Sequence, residues 1–283
     1  MQHQINVSNL DHSQPLKSRK FLAKCKIKQK RGIIIFIHGY GTTSSYHDLV
    51  IDDLIANYDY YTIELSGHGI SGFHPKWINA KVDCHDNVEL IVATITHLIG
   101  NQRFYLIGHS MGGALATRVA NHFHQQIIAY VSVCPMNSHL ISLKSFLNYF
   151  YFAPKSLKGC QKFVKRLVLN PNHFSNDLIN QEFQYQRYHH DFFTKLKKSM
   201  YWYQNHRKSR LNEQGLQIPT LAIAAANDRL ISAKSVQKSF KNHPYVQTVV
   251  IANSGHLVFW DQKRTYVQLV LDWFNRHQDL DHV

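Results

Sequence analysis

The chain has little glycine, proline or cysteine for its length of 283 residues. With 13 Gly, 7 Pro and 4 Cys, it is not a collagen-like, low-complexity or disulfide-framework protein. The cysteines lie far apart without a CxxC pair, which argues against a structural metal site. They are Cys25, Cys84, Cys134 and Cys160. Free thiols in a cytoplasmic protein are the resulting prediction.

Long apolar runs are also absent. No stretch of about 18 apolar residues exists, so a transmembrane helix is not expected. The N-terminal sequence MQHQINVSNLDHSQPLKSRK has no apolar run after its basic residues, and a secretory signal peptide is not expected either. Apolar residues nevertheless make up 44% of the chain, which is enough for a large core and excludes wholesale disorder.

Acidic residues are scarce, since 18 Asp and Glu stand against 32 Lys and Arg, and the formal net charge is +14. Residues 1–31 hold eight Lys and Arg against one Asp, and residues 136–217 hold thirteen against four acidic residues. Basic stripes occur in nucleic-acid binders and in proteins that meet anionic lipid surfaces. Compositional drift explains the charge equally well, so charge alone does not select a function.

Short apolar segments alternate with amphipathic ones over most of the chain. Residues 1–20 indicate a polar arm, and the alternation over 21–30 predicts an edge strand. Further strands are predicted at 32–37, 60–65, 104–107, 127–134, 220–226 and 246–251, with helices between them. This rhythm predicts an α/β fold with a mostly parallel sheet flanked by helices. The rhythm stops over 136–217, which holds 15 of the 35 aromatic residues and in which helices are predicted at 157–169 and 181–203. We interpret 1–135 and 218–283 as the core, and 136–217 as an inserted helical cap at the ligand-binding carboxyl edge of the sheet.

The strongest local signal is the run Gly108-His109-Ser110-Met111-Gly112, between a predicted strand and an alanine-rich helix. A sharp strand-to-helix turn with this G-x-S-x-G pattern exposes the serine hydroxyl, and larger residues at Gly108 or Gly112 would collide in it. The helix N-terminus that follows favours developing negative charge. Ser110 is therefore the predicted nucleophile.

A serine nucleophile needs a histidine base and an acid that holds the base. His256 lies in the turn NSGHLVF after the last predicted strand, and Asp228 follows the strand TLAIAAA. Both positions are at the carboxyl edge of the sheet, as is Ser110. The chain order Ser, Asp, His is also that of the G-x-S-x-G hydrolases. Asp261 is the reserve candidate for the acid.

Attack on an ester creates an oxyanion, which needs backbone N–H donors. The residue after the nucleophile, Met111, supplies one of them. The turn His38-Gly39-Tyr40-Gly41 after the first central strand is expected to supply the Tyr40 N–H. Gly39 lets the backbone approach closely, and His38 is expected to orient the loop by hydrogen bonding.

With these residues in place, the sequence resembles the α/β-hydrolase-fold serine hydrolases of the small esterase/lipase and monoacylglycerol-lipase-like kind. The matching segments, within about 30–135 and 218–277, are IIIFIHGYG, ELSGHGISG, YLIGHSMGG, IPTLAIAAANDRL and NSGHLVFW. The loop that commonly reads D-x-x-G-H-G-x-S in this family carries Glu64 and Ser66 before Gly67. The resemblance implies an ester hydrolase with a Ser-His-Asp triad that needs no metal or organic cofactor.

The predicted substrate is a small-molecule carboxylic ester, lipid-derived or short-chain, that is cleaved through an acyl-enzyme. A dense aromatic run at 146–152 lies among basic residues, which is compatible with contact with an anionic membrane surface, although a solvated basic face is the simpler interpretation. The basic residues are Lys144, Lys155, Lys158, Lys162, Lys165 and Arg166. A thioesterase or acyltransferase with the same triad stays open, as does a non-catalytic binding protein. No nucleic-acid partner is expected, and the sequence does not determine the oligomeric state.

Overall fold

The computed structural model describes residues 3–4, 16–22, 31–77, 81–137, 155–204 and 215–278. Its centre is an eight-stranded sheet with the strand order β1-β2-β4-β3-β5-β6-β7-β8. The strands are β1 His3–Gln4, β2 Ser18–Phe21, β3 Ile33–Ile37, β4 Asp59–Ile63, β5 Phe104–His109, β6 Ile127–Val133, β7 Thr220–Ala225 and β8 Val246–Ile251. Strands β3 to β8 are parallel, whereas β1 and β2 pair in antiparallel fashion at one edge. The predicted mostly parallel α/β sheet is confirmed.

The helices lie between the strands and after the last of them. They are α1 Asp48–Leu54, α2 Asp86–Ile99, α3 Met111–His122, α4 Leu157–Leu167, α5 Asn176–Tyr188, α6 His190–Gln204, α7 Ala233–Ser239, α8 Val258–Asp261 and α9 Lys263–His277. Helix α2 packs on α3, and α1 packs on α9. The sequence favoured one helix over 181–203, but the chain turns at His189, where the backbone leaves helical geometry (φ −104°, ψ 27°).

The central strands are buried along their whole length. Every residue of β3, β4, β5 and β6 is buried, which explains why these segments read as continuous apolar runs rather than alternating ones. Because the loops that follow parallel strands emerge together at one edge of the sheet, residues that follow different strands can come close together there. Ser110 follows β5, and the loops that contain Asp228 and His256 follow β7 and β8.

The N-terminal arm contributes two strands, where the sequence indicated a polar arm followed by an edge strand over 21–30. Strand β2 ends at Phe21, and residues 23–30 lie outside the described residues. The antiparallel ladder to β4 pairs Ser18 with Ile63. Arg19 of β2 also joins this edge of the sheet to helix α1, because its guanidinium donates to both carboxylate oxygens of Asp48 at 2.8 and 2.7 Å.

Residues 155–204, here called the helical segment, contain α4, α5 and α6 and lie between β6 and β7 in the chain. The segment packs on the loops at the carboxyl edge of the sheet. Tyr40 donates through its hydroxyl to Phe193 O at 3.0 Å, and Tyr185 donates to Gly67 O at 2.7 Å. The division into a core and a 136–217 cap stays a prediction. Within the described part of the chain, no helix combines the length and hydropathy that membrane crossing requires.

Candidate active site

Ser110 occupies a strained turn between β5 and α3. Its backbone has a positive φ of 56° with ψ at −121°, a conformation that residues other than glycine rarely adopt. Backbone hydrogen bonds to the last residue of β6 and to the loop after it hold it there. The Ser110 N–H donates to Val133 O at 3.0 Å, and the Met136 N–H donates to Ser110 O at 2.9 Å. Such a turn presents a serine hydroxyl at the edge of the sheet.

His256 lies between Ser110 and Asp228. Its Nε2 is 2.8 Å from Ser110 Oγ, and its Nδ1 is 2.7 Å from Asp228 Oδ2. Because Nδ1 faces a carboxylate, we assign the ring hydrogen to Nδ1, which leaves Nε2 to accept from the serine hydroxyl. The other carboxylate oxygen of Asp228 accepts from the N–H groups of Leu230 and Ile231 at 2.7 and 2.9 Å. The His256 and Asp228 side chains are 3% and 0% exposed, so water competes little for these bonds.

The turn that carries His256 is tied to its neighbours. His109 Nε2 lies 3.0 Å from the backbone oxygen of His256, and the Asn227 N–H donates to Ser254 O at 2.9 Å. Burial lowers the pKa of His109 well below its usual value, so the ring is neutral and donates through Nε2. The nucleophile, acid and base loops are therefore connected directly.

Three glycines allow the backbone segments of the site to meet. A Cβ on Gly108 would lie 2.5 Å from the Cβ of Ala116 in α3, and one on Gly112 would overlap the carbonyl oxygens of residues 37 and 38. A Cβ on Gly39 would lie 2.9 Å from the Cβ of Ser110. The turn 39–41 therefore packs directly against the nucleophile. It places Tyr40 near Ser110, while Met111 opens α3, where amides have no intrahelical acceptor.

Two buried histidines shape the turn 39–41. His38 donates from Nδ1 to Gly39 O at 2.8 Å, and its Nε2 lies 3.0 Å from the backbone nitrogen of Leu65. His68 accepts the Gly41 N–H on Nε2 at 3.2 Å, and burial lowers its pKa to about 3. A neutral His68 keeps the lone pair that this bond requires. His38 lies in the predicted place and makes the kind of contact expected from the sequence.

Glu64 follows strand β4 directly and lies next to His38. It accepts the backbone N–H of Ser44 at 3.0 Å and also the Ser44 hydroxyl, and its Oε2 is 3.3 Å from His38 Nε2. Burial alone would raise the pKa of Glu64, but hydrogen bonding and charge from His38, together with Ser44, lower it to about 2. Glu64 is thus an ionised carboxylate. It occupies the position that is commonly Asp in the D-x-x-G-H-G-x-S loop of the family that this sequence resembles.

The helical segment reaches the same turn from the other side. Gln186 Nε2 lies 3.4 Å from Gly41 O and 2.6 Å from Glu182 Oε1. Glu182 also accepts the hydroxyl of Tyr46 at 3.1 Å. Burial raises the pKa of Glu182 to about 7, although the bonds from Gln186 and Tyr46 act in the opposite direction.

Glu182 and Gln186 belong to no catalytic motif in the sequence, although their spacing carries a signal. Ile179, Glu182, Phe183 and Gln186 form the buried face of α5 at positions i, i+3, i+4 and i+7. Two polar residues on the apolar stripe of an amphipathic helix are unusual, since buried polar groups need partners. That pattern indicates a polar contact with another part of the molecule.

Two groups of side chains in the described residues bring metal-ligand atoms within 4.8 Å of one another: Asp83, Cys84 and His85, and Cys134, Asp228 and His256. In the second group the ring nitrogen and the carboxylate already pair with each other. Burial raises the pKa of Cys84 to about 12 and that of Cys134 well above its usual value, whereas metal binding needs the thiolate. Cys84, Cys134 and Cys160 are free and buried, as predicted, and Cys25 lies outside the described residues.

A family model described as the alpha/beta hydrolase fold matches residues 32–263. The chain belongs to this family. As an alpha/beta hydrolase it is 27% identical, over 96% of both chains, to a Mycoplasma pneumoniae protein named as an esterase/lipase.

Solved alpha/beta hydrolase structures agree in fold. A bacterial membrane phospholipase A superimposes with a TM-score of 0.81 over 99% of this chain and 87% of its own, at 17% identity. Naproxen esterase from Bacillus subtilis gives 0.72 over 97% and 91%, at 15% identity. The predicted family and fold class are confirmed, and the matches support the predicted enzyme class, a carboxylic ester hydrolase. The roles of individual site residues stay predictions.

Proposed function

We propose that this alpha/beta hydrolase cleaves carboxylic esters through a covalent acyl-enzyme on Ser110. The observation that carries the proposal is the hydrogen-bonded series from Asp228 through His256 to Ser110 Oγ, with successive distances of 2.7 and 2.8 Å. Nucleophilic catalysis requires this geometry, because a serine hydroxyl is a weak nucleophile until a base removes its proton.

In the first half of the reaction, Ser110 Oγ bonds to the ester carbonyl carbon while its proton passes to His256 Nε2. The carbonyl π electrons move to the oxygen, which becomes the oxyanion of a tetrahedral intermediate. Asp228 stabilises the imidazolium and keeps the ring oriented. The intermediate then collapses, the bond to the alcohol oxygen breaks, and that oxygen takes the proton from His256.

In the second half, water attacks the acyl-enzyme and gives a proton to His256. Collapse of the second intermediate releases the carboxylic acid and returns the proton to Ser110. The N–H groups of Tyr40 and Met111 are the proposed oxyanion donors in both halves. Supporting this role, the Gly39–Gly41 turn packs against Ser110 and Met111 begins a helix, so fixed dipoles face the developing charge.

The helical segment packs aromatic rings against the turn 39–41, and we propose that it acts as the cap over the site. The rings of Phe192 and Phe193 lie 5.9 and 5.3 Å from the ring of His68, and Phe193 lies 5.6 Å from Tyr40. Apolar surroundings of the oxyanion turn suit lipid-derived or short acyl esters better than highly polar ones. The bacterial relatives named as esterases and lipases fit this substrate class.

A membrane surface is the proposed partner of helix α4. Its exposed face carries Lys158, Lys162 and Lys165, with Lys155 just before it and Arg166 beside it. Residues 155–175 contain no acidic side chain, so anionic lipid would meet an uninterrupted positive face. The aromatic run 146–152 lies outside the described residues. The cytoplasmic location inferred from the cysteines stays a prediction.

Hydrolysis by the native protein and by Ser110→Ala tests the proposed reaction. The native chain is expected to cleave p-nitrophenyl esters of two to twelve carbons and monoacylglycerols, and the variant to lose about 10⁴-fold or more in kcat. A folded native protein that cleaves none of these esters contradicts the proposal. Faster turnover of acyl thioesters than of the matched oxygen esters would instead favour a thioesterase.

Charge reversal tests the membrane partner. Changing Lys162, Lys165 and Arg166 to Glu is expected to lower hydrolysis of an ester in anionic vesicles by about tenfold or more, because each basic residue contributes about 1 kcal/mol near such a surface. Hydrolysis of a water-soluble ester should not change. The matched control reverses Lys234, Lys238 and Lys241, which are exposed on and after α7. Equal losses in both triple variants contradict this partner.

A further inference from the structure

Asp261, the last residue of α8, does not contact the base. Its carboxylate instead accepts three backbone N–H groups, from Gly255 at 2.7 Å, Leu169 at 2.8 Å and Asn170 at 3.2 Å. The side chain is only 3% exposed. One donor therefore belongs to the turn immediately before His256, and the other two belong to the chain that leaves helix α4.

The same two stretches of backbone also touch without a side chain between them. The Leu257 N–H, one residue after His256, donates to Leu167 O at 2.7 Å. A Cβ on Gly255 would lie 2.9 Å from Leu169 N and from Val168 C. The residues on both sides of His256 are thus bonded to residues 167–170, directly or through Asp261.

The His256 turn has no regular secondary structure of its own to fix it. Residues 252–257 lie between the end of β8 and the start of α8. Backbone N–H groups buried without acceptors destabilise the conformation that buries them, so removal of the carboxylate would favour a shifted turn. A shift of His256 by about 1 Å is enough to weaken catalysis about 100-fold.

We infer that Asp261 is a positioning residue that holds the His256 turn and residues 167–170 of the helical segment as one unit. The inference rests on the proposed function, since it assigns Asp261 to the base of that reaction. It also means that this end of the helical segment stays in place during turnover, because moving residues 167–170 would displace His256. Movement that admits substrate must therefore occur elsewhere in the segment.

Three variants test the inference by their kcat per reactive serine, counted by titration with a fluorophosphonate. Asp261→Ala removes all three acceptor contacts and is expected to lower kcat about 10- to 100-fold with KM within about twofold. Asp261→Asn keeps one oxygen able to accept from both Gly255 and Leu169, and is expected to stay within about threefold of native. Asp272→Ala, at an exposed acid of α9 that pairs only locally with Gln268, is the control and should not change kcat.

A purely structural role would give a different result. Asp261→Ala would then lower the melting temperature and the number of titratable serines, while kcat per titrated serine stayed native, and this outcome would overturn the inference. If Asp261→Ala does not fold, Gly255→Ala carries the test, since its Cβ pushes the two backbones apart with Asp261 intact. It is expected to lower kcat about tenfold, and native kcat would again overturn the inference. Failure of the proposed function is distinguishable, because the native protein would then not react with the titrant.

Discussion

The sheet and the helical segment each place one buried glutamate beside the turn 39–41, and the two are held in opposite ways. Glu64, after β4, receives the amide and hydroxyl of Ser44 and lies 3.3 Å from His38. Glu182, on α5, receives one bond from Tyr46 and one from Gln186. The pKa of Glu64 is lowered to about 2, whereas burial raises that of Glu182 to about 7.

The difference lies in how far polar partners offset burial. Around Glu64, a backbone N–H and a nearby histidine favour the charged form. Around Glu182, the bonds from the Tyr46 hydroxyl and the Gln186 amide offset the effect of burial only in part. The sheet loops therefore form a fixed ionic frame for the turn. The helical segment contacts the same turn through Gln186, whose amide also bonds to Glu182, and burial raises the pKa of Glu182 to about 7.

The largest expected effect comes from the acid at the sheet edge. Asp228→Asn keeps an oxygen for the N–H groups of Leu230 and Ile231 but no longer holds the His256 ring in the productive tautomer. We expect kcat to fall about 10³- to 10⁴-fold with little change in KM. The matched change in the helical segment, Asp177→Asn, alters an exposed residue and should leave kcat within about twofold. Similar losses of kcat in the two variants would contradict the claim that the catalytic acid lies at the sheet edge and not in the helical segment.

Glu64→Gln tests the ionic frame through stability. A lowered folded pKa stabilises the fold above the unfolded value of about 4.5, and this contribution is lost as pH falls toward about 2. At pH 7 we expect the variant to unfold with about 3 kcal/mol less free energy than the native chain, and the difference should shrink to about half at pH 3. Urea unfolding of both proteins at pH 7, 5 and 3 measures it. If the two free energies of unfolding differ by the same amount at every pH, the lowered pKa of Glu64 is contradicted.

Glu182→Gln should act with the opposite sign and a smaller size. A raised folded pKa gives stability that is complete below about 4.5 and is lost as pH rises through about 7, and glutamine mimics the protonated acid. The variant should be more stable than native by about 2 kcal/mol at pH 8, since α5 can relax toward water, and equal to it at pH 4.5. Thermal unfolding at both pH values checks this. A variant that is less stable than the native chain at pH 8 would contradict the claim that the buried charge of Glu182 is only partly offset by its partners.

The sheet region was largely predictable from the sequence because its signals are local. Residues 33–37 form a continuous apolar run, and the glycines around Ser110 mark one sharp turn. Parallel strands then bring residues 110, 228 and 256 to one edge without knowledge of the packing. Local pattern and tertiary structure agree there, so each supports the other.

The contacts of the helical segment were not predictable in this way. Gln186 meets Gly41 across 145 positions of sequence, and Asp261 meets Leu169 across 92. In neither pair does the sequence around one residue indicate which residue it contacts. The break between α5 and α6 was also missed, because the apolar and basic pattern continues through His189. Asp261 was predicted only as the reserve candidate for the catalytic acid. Its partners are backbone N–H groups, and no side-chain pattern in the sequence indicates such contacts.

The most direct test of the central claim is fluorophosphonate labelling of the folded chain beside Ser110→Ala, with the labelled peptide identified by mass. Such reagents bond to a serine only when a base activates it. The hydrogen-bonded series from Asp228 to Ser110 predicts one label, on Ser110, that disappears in the variant. A folded native protein without label, or with its label on another serine, would contradict the assignment of Ser110 as the nucleophile.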